Sequence, residues 1–345
     1  MLVEASKLVF VGLQDYSLTV RNRGDPLRRL ATRRIGALVV SAPLILIAGL
    51  LWLTIATSGD QPNFIILYRV SRALSSLLTG FVLAASGCML QSALRSPLVD
   101  HYILGIGSGA LFSTYIAILL VGYSLPHVTI ASVVGGLIAL SLTTLLAEKM
   151  SGSDIAYVLA GLGVTALFTG LASFTQFFVI SRYQYAVFLM LGSFSIATLD
   201  KAIYALIPVG LVLAGYALLA KELNVLLYGD DYSRQLGLDP RRVRATTSIL
   251  AGVASSITVA YFGLVGFIGL VSPHIARLLL KTPDNRVVIP ASSTIGSILA
   301  YSADLLSRSI AVYTMSEVPA GSILFLVGAP FFLVILLARL AGSSK

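Results

Sequence analysis

Charge is what this sequence has least of. Only 11% of its 345 residues are Asp, Glu, Lys or Arg, where a soluble globular chain carries about 25%. Water cannot solvate the surface of a folded chain so poor in charge, so lipid must be the solvent for much of it. Cysteine is nearly absent as well. The one present, Cys88, sits in an apolar run, which excludes an intrachain disulfide framework and leaves a small packing residue. The three histidines, His101, His127 and His274, are far apart and have no Cys or carboxylate at ligand spacing. They read as helix-end hydrogen-bonding groups and not as a metal centre. No G-x-x-x-x-G-K-[ST] phosphate loop occurs, so this chain is not expected to hydrolyse ATP. Residues 1–20 are interrupted by Glu4, Lys7, Gln14 and Asp15, so no signal-peptide core forms there.

What is present is hydrocarbon: 57% of the residues are hydrophobic. A helix needs about 20 apolar residues to cross a bilayer. By that rule spans fall at roughly 35–57, 72–93, 102–122, 128–148, 155–179, 201–220, 245–262, 264–280, 288–308 and 320–341. Residues 181–198 are amphipathic and read as a non-spanning outer helix or re-entrant piece. The expected fold class is therefore an all-α integral membrane protein of about ten transmembrane helices. Residues 1–34 form a basic tail, and residues 35–345 form one polytopic domain. The +9 net charge fits basic residues gathered on the cytoplasmic side better than nucleic-acid binding. With the N-terminus inside, the outer segments keep only Arg69, Arg72, Arg182, Lys201 and Arg308 of the 24 Lys and Arg. Both termini and residues 221–244 are then cytoplasmic, and Gly59-Asp60 and Glu317 lie outside.

Several residues stand out on physical grounds. Arg69 and Arg72 share a helical face, and with Arg308 they flank spans at the outer surface. They read either as interfacial anchors or as a docking site. Asp304, in an apolar helix, is a functional candidate by default. Its local reading is an i,i+4 partner for Arg308. Residues 221–244 are the longest polar interruption. Asp231 or Ser233 could cap a short helix there, and Leu238-Asp239-Pro240 reads as the end of that helix or the start of the next. The segment is either a solvated connection or an amphipathic piece for a partner's groove. Tyr183-Gln184-Tyr185 could line a path for a planar ligand or belong to an interfacial aromatic belt. Gly80 with Ala84, and Gly105 with Gly109, have the spacing of close helix packing.

Four stretches add a resemblance. They are Tyr68-Arg69-Val70-Ser71-Arg72 with Gly80 through Gln91, Arg95 through Asp100 and Leu104 through Ala110; then Tyr228-Gly229 through Leu238; then Gly266 through Arg277; and Ala303 through Arg308 with Glu317-Val318-Pro319-Ala320-Gly321 and Gly328 through Phe332. In this order and spacing they resemble the FecCD permease family, which serves cobalamin, iron–siderophore and haem import. The family's R-L-P-R is Arg69-Val70-Ser71-Arg72 here, and Ser96 stands where the family has asparagine.

The resemblance implies a transmembrane permease subunit of an ATP-binding-cassette importer. Its expected partners are a second copy of itself or a homologous permease, two ATPase subunits, an extracytoplasmic substrate-binding protein and membrane lipid, with no nucleic acid. ATP and Mg²⁺ would reside in the ATPases, and no cofactor or metal in this chain. It also implies roles. Arg69, Arg72 and Arg308 would dock the binding protein. Ser233, Leu236, Gly237 and Arg241 would couple to the ATPase. Ser96, Leu98, Ser153, Asp154 and Ile155 would close the path at the cytoplasmic side. A secondary transporter driven by an ion gradient is the alternative, resting on Asp304 and the proline-broken Ser272-Pro273.

Overall fold

The computed structural model describes residues 48–50, 62–150 and 153–343. The expected tail at 1–34, Gly59-Asp60 and all but residues 48–50 of the first expected span lie outside the described residues. The rest is helical, in the order α1 (Asn63–Ala93), α2 (Ile106–Val121), α3 (Leu125–Met150), α4 (Asp154–Ile180), α5 (Ala186–Leu191), α6 (Leu199–Tyr204), α7 (Leu206–Leu226), α8 (Asp230–Gln235), α9 (Pro240–Phe262), α10 (Ile268–Leu280), α11 (Asn285–Thr314) and α12 (Ala320–Ser343). Among the described residues, six stretches are long and apolar enough to cross a membrane, and α2, α10 and the first part of α12 are shorter apolar helices. These match nine of the ten expected spans. Residues 181–198 do not span; they supply the six-residue α5 and an irregular run.

The bundle inverts the pattern of a soluble protein. Its outside carries Leu159, Leu167, Phe174 and Phe177 on α4 and Leu326, Val327 and Leu333 on α12, all exposed. Its inside is small and weakly polar, because close backbone approach and interhelical hydrogen bonds, not hydrophobicity, hold helices together in lipid. The centre is α1, which is almost wholly enclosed. A methyl group at Gly80 would overlap the carbonyl of Gly296 in α11, and one at Gly87 would overlap the backbone of Gly269 in α10. Ser297 Oγ donates to Leu77 O at 2.9 Å and Ser292 Oγ to Ala84 O at 3.2 Å, tying α11 to α1 along its length.

Proline inside a helix frees the carbonyl four residues earlier, and in lipid that group needs another donor. At two of the three internal prolines, Pro273 and Pro290, neighbouring helices provide it. Pro273 of α10 leaves Gly269 O to Gln91 Nε2 of α1 at 3.2 Å. Pro290 of α11 leaves Arg286 O to the Tyr216 hydroxyl of α7 at 2.9 Å. Gln91 Oε1 in turn accepts from Arg277 Nη1. Arg277, which its sequence position assigns to a cytoplasmic surface, thus points into the bundle.

Candidate functional site

The two ends of α1 carry the two charge clusters of interest. From Arg72 to its last residue, Ala93, the helix rises about 1.5 Å per residue and separates them by about 32 Å, close to the thickness of a bilayer core. Arg72, the tenth residue of α1, turns inward. Its Nε donates to Asp304 Oδ1 at 2.7 Å, and its Nη1 reaches Glu317 at 2.8 Å and the Tyr68 hydroxyl at 3.1 Å. The Tyr68 hydroxyl donates onward to Ser195 O at 3.1 Å. Arg308 Nη2 lies 2.9 Å from Asp304 Oδ2, an ion-pair distance with off-line donor geometry. Two guanidiniums and two carboxylates therefore neutralise each other and join α1, α11, the loop before α12 and the run after α5.

This corrects the docking assignment for Arg72. Its side chain is 1% exposed and cannot reach a partner's surface; it fastens helices to one another. Arg308 keeps 25% exposure. Arg69 is half-buried and enters no ion pair among the described residues. Asp304 is the expected i,i+4 partner of Arg308, but its shorter contact is to Arg72, 232 residues away, a pairing that no local spacing could reveal. Glu317, placed outside by the sequence and part of the Glu317–Gly321 motif, carries no local sign of its pairing with Arg72. Nearby, Tyr123, Tyr185 and Tyr183 meet edge to face, with centroids 5.5 and 5.8 Å apart. Lys201 Nζ sits 5.1 Å from the Tyr123 ring centroid and donates to Ile196 O at 3.0 Å.

The other end of α1 meets residues 226–244. Here α8 follows Gly229, with no side-chain cap from Asp231 or Ser233. Ser233 is 1% exposed and its hydroxyl donates back to Gly229 O at 2.7 Å, so it braces the helix and does not face a partner. Leu236 is 56% exposed. Tyr228 and Tyr232 are exposed beside it, their rings 5.6 Å apart. Gly237 is exposed, with φ +80 and no atom within 4 Å of an added Cβ; Arg241 is exposed at the start of α9. Asp239 caps α9, accepting from Arg241 N at 3.0 Å, with Pro240 as its first residue. The expected helix start is found there.

Asp230, one of the acidic residues of the 221–244 segment, is the hub of this end. Its carboxylate takes both Nη groups of Arg244 and lies 3.2 Å from Arg95 Nη2. The Arg244 hydrogen bond holds the Asp230 carboxyl below its ordinary range, against the cost of burial and helped by the charges of Arg244, Arg95 and Arg234. Arg244 Nε also donates to Ala93 O, the last residue of α1, at 3.2 Å.

Of the residues expected to close the path, Ser96 and Leu98 are buried in the connection after α1. Leu98 shares an apolar cluster with Val158 of α4. Ser153 caps α4, accepting from Ala156 N at 3.2 Å, and Ile155 is exposed. The backbone of Asp154 opens α4; its side chain lies outside the described residues.

Comparison with solved structures gives the class. The chain superposes on a metal-chelate type ABC transporter in an inward-facing conformation with a TM-score of 0.69 and 27% identity, over 85% of this chain and 99% of that one. PsaBC from Streptococcus pneumoniae shares the fold, with a TM-score of 0.57 at 15% identity over 81% and 94% of the two chains. The protein is thus a multi-pass permease subunit of an ATP-binding-cassette importer. It belongs to the FecCD transport family, whose profile matches residues 32–338. Relatives include a "probable iron chelatin transport system permease protein" of Helicobacter pylori, 33% identical over 78% of this chain and 80% of that one. The "probable heme-iron transport system permease protein IsdF" of Staphylococcus aureus is 32% identical over 81% and 84%. The "cobalamin import system permease protein BtuC" of Halobacterium salinarum is 34% identical over 79% and 72%.

Proposed function

We propose that two copies of this chain, or one copy and a homologous permease, pack about a two-fold axis. They enclose one path for an iron chelate, haem or cobalamin. Two ATPase subunits, which hold the ATP and Mg²⁺, bind at the Arg244 end in the cytoplasm. A binding protein delivers the substrate at the Arg308 end, with Arg69 and the exposed side of Arg308 facing its carboxylates. The chain lies in the plasma or inner membrane with both termini cytoplasmic, and it carries out no catalysis of its own.

The observation that carries this reading is the apolar face of residues 228–236. Tyr228, Tyr232 and Leu236 are exposed together on an otherwise charged segment, at the end rich in Lys and Arg that the positive-inside rule assigns to the cytoplasm. Apolar surface left in water forgoes about 25 cal/mol per Å², and a groove on a partner subunit would recover it. The substrate class follows from what the named relatives carry. A gradient-driven carrier would need an ionisable side chain free to exchange a proton within the membrane. Asp304, which suggested one, is held between two guanidiniums.

The test combines association with transport. Leu236→Asp should prevent co-purification of the ATPase while leaving the permease folded. Proteoliposomes of the wild-type transporter should take up haemin, ferrichrome or cyanocobalamin only with ATP inside. Retention of the ATPase by Leu236→Asp would remove the coupling assignment. Uptake driven by a proton or sodium gradient without ATP would remove the importer reading for this chain.

A further inference from the structure

We infer that Asp230 is a positioning residue: it locks the segment that meets the ATPase to α1, so that movement of that segment is passed to the central helix. The inference rests on the coupling role proposed for residues 221–244 and adds to it the route by which force enters the bundle.

Helix α8 has six residues and lies between Gly229 at φ +108 and Gly237 at φ +80. Both are left-handed positions where glycine turns the chain without strain. A short helix between two such turns would swing under load, and the turns would absorb the displacement. Its local bonds do not prevent this. Ser233 Oγ to Gly229 O and Gly229 N to Leu226 O tie α8 only to itself and to the end of α7.

Asp230 is placed to stop the swing. It is the first residue of α8, and its carboxylate binds Arg244 of α9 through two guanidinium nitrogens and Arg95, two residues past the end of α1, through a third. Arg244 spans the same junction, since its Nε holds Ala93 O. Three elements therefore meet at one carboxylate. A bidentate guanidinium pair fixes direction as well as distance, which is what a transmitting joint needs and a simple attractive contact does not. The other end of α1 carries Arg69 and the Arg72 cluster, so one enclosed helix spans from the ATPase side to the binding-protein side.

The experiment uses the complete transporter, with permease, ATPase and cognate binding protein, in nanodiscs. Asp230→Asn, Arg244→Gln, Arg95→Gln and the conservative Asp230→Glu are compared for bound ATPase, basal ATP hydrolysis and its stimulation by the binding protein. Asp230→Asn and Arg244→Gln should keep a full complement of ATPase and near-normal basal hydrolysis. Their stimulation should fall at least about fivefold, the lower end of site-to-site coupling. Asp230→Glu should restore part of it, and Arg95→Gln, at the longer and more exposed contact, should cost less than Arg244→Gln. If Asp230→Asn does not accumulate, Arg95→Gln carries the same comparison with the Arg244 contact intact. Stimulation within twofold of wild type in Asp230→Asn and Arg244→Gln, or in Arg95→Gln where neither of those accumulates, would overturn the inference. So would a loss of bound ATPase parallel to the loss of stimulation, since Asp230 would then act in docking. Leu236→Asp separates the two readings. If it leaves the ATPase bound, the coupling assignment falls and the inference with it. If it releases the ATPase while Asp230→Asn stimulates normally, only the inference falls.

Discussion

Removing Asp304 should damage the fold more than removing either the Arg308 or the Glu317 charge. Asp304 is fully buried and touches two guanidiniums, Arg72 at 2.7 Å and Arg308 at 2.9 Å. Asp304→Ala leaves the wholly buried Arg72 with only the Glu317 carboxylate, on the loop before α12, to balance it. Breaking a buried pair from one side costs about 3–5 kcal/mol, because the surviving charge stays desolvated. Arg308→Ala removes a partly exposed partner whose donor geometry is off-line, while Asp304 keeps Arg72, so a cost of about 1 kcal/mol is expected there. Glu317→Gln, partly exposed and still able to accept from Arg72, should fall between them. Replacing both buried partners, Arg72→Met with Asp304→Leu, should recover most of the loss, since apolar pairs of similar volume often equal a buried ion pair. Equilibrium unfolding in mixed micelles titrated with sodium dodecyl sulfate gives all four values. If Asp304→Ala costs no more than Arg308→Ala, or if the double replacement is worse than Asp304→Ala alone, the cluster does not hold the helices in the way described.

Three further outcomes are expected. Arg69→Glu should weaken docking of the binding protein by roughly tenfold at low salt, and the effect should shrink towards 1 M salt as the Debye length falls to about 3 Å; equal binding at low salt, by titration on immobilised transporter, would make Arg69 an interfacial anchor. Gly80→Ala should force α1 and α11 apart and cost about 1–3 kcal/mol, read as a lowered midpoint in the same micelle titration, and an unchanged midpoint would contradict the close approach. The Asp230 carboxyl should titrate below its ordinary 3.8, and the value should rise in Arg244→Gln, because the Arg244 hydrogen bond is the main cause of the depression. With the folded value depressed, this contribution is complete above the unfolded value and disappears as pH falls through the folded one; carbon-13 carboxyl shifts followed from pH 6 downward would detect it.

The spans were legible because lipid imposes one rule on every residue that faces it. Their ends were less so. Helix α1 begins at Asn63 and not near residue 72: Arg69 and Arg72 interrupt the apolar run, and hydropathy counts the neutralised Arg72 as a free charge. The expected span at 201–220 is divided at Ala205, where α6 ends and α7 starts. The i,i+4 relation of Asp304 and Arg308 could be read from spacing. The bonds from Arg72 to Asp304 and to Glu317, across 232 and 245 residues, could not. The polarity of residues 221–244 marked a surface segment, yet not which side chains face out. Ser233 turns inward because its hydroxyl finds the Gly229 carbonyl one turn back. Asp230 was hidden for a similar reason: its partners Arg95 and Arg244 come from two other elements.

The glycine contacts of α1 bear on which helices of the bundle could move against one another. Where Gly80 meets Gly296 and Gly87 meets Gly269, carbonyl lies against backbone with no side chain between. Side chains can yield to a small slide by changing rotamer; peptide groups have no rotamers. Axial displacement of α1 past α10 or α11 would press backbone atoms against one another, so these three helices resist sliding past one another. Faces padded with flexible side chains, such as the Leu- and Phe-covered sides of α4 and α12, would resist a slide less, because methyl groups can repack while the peptide backbone stays undisturbed.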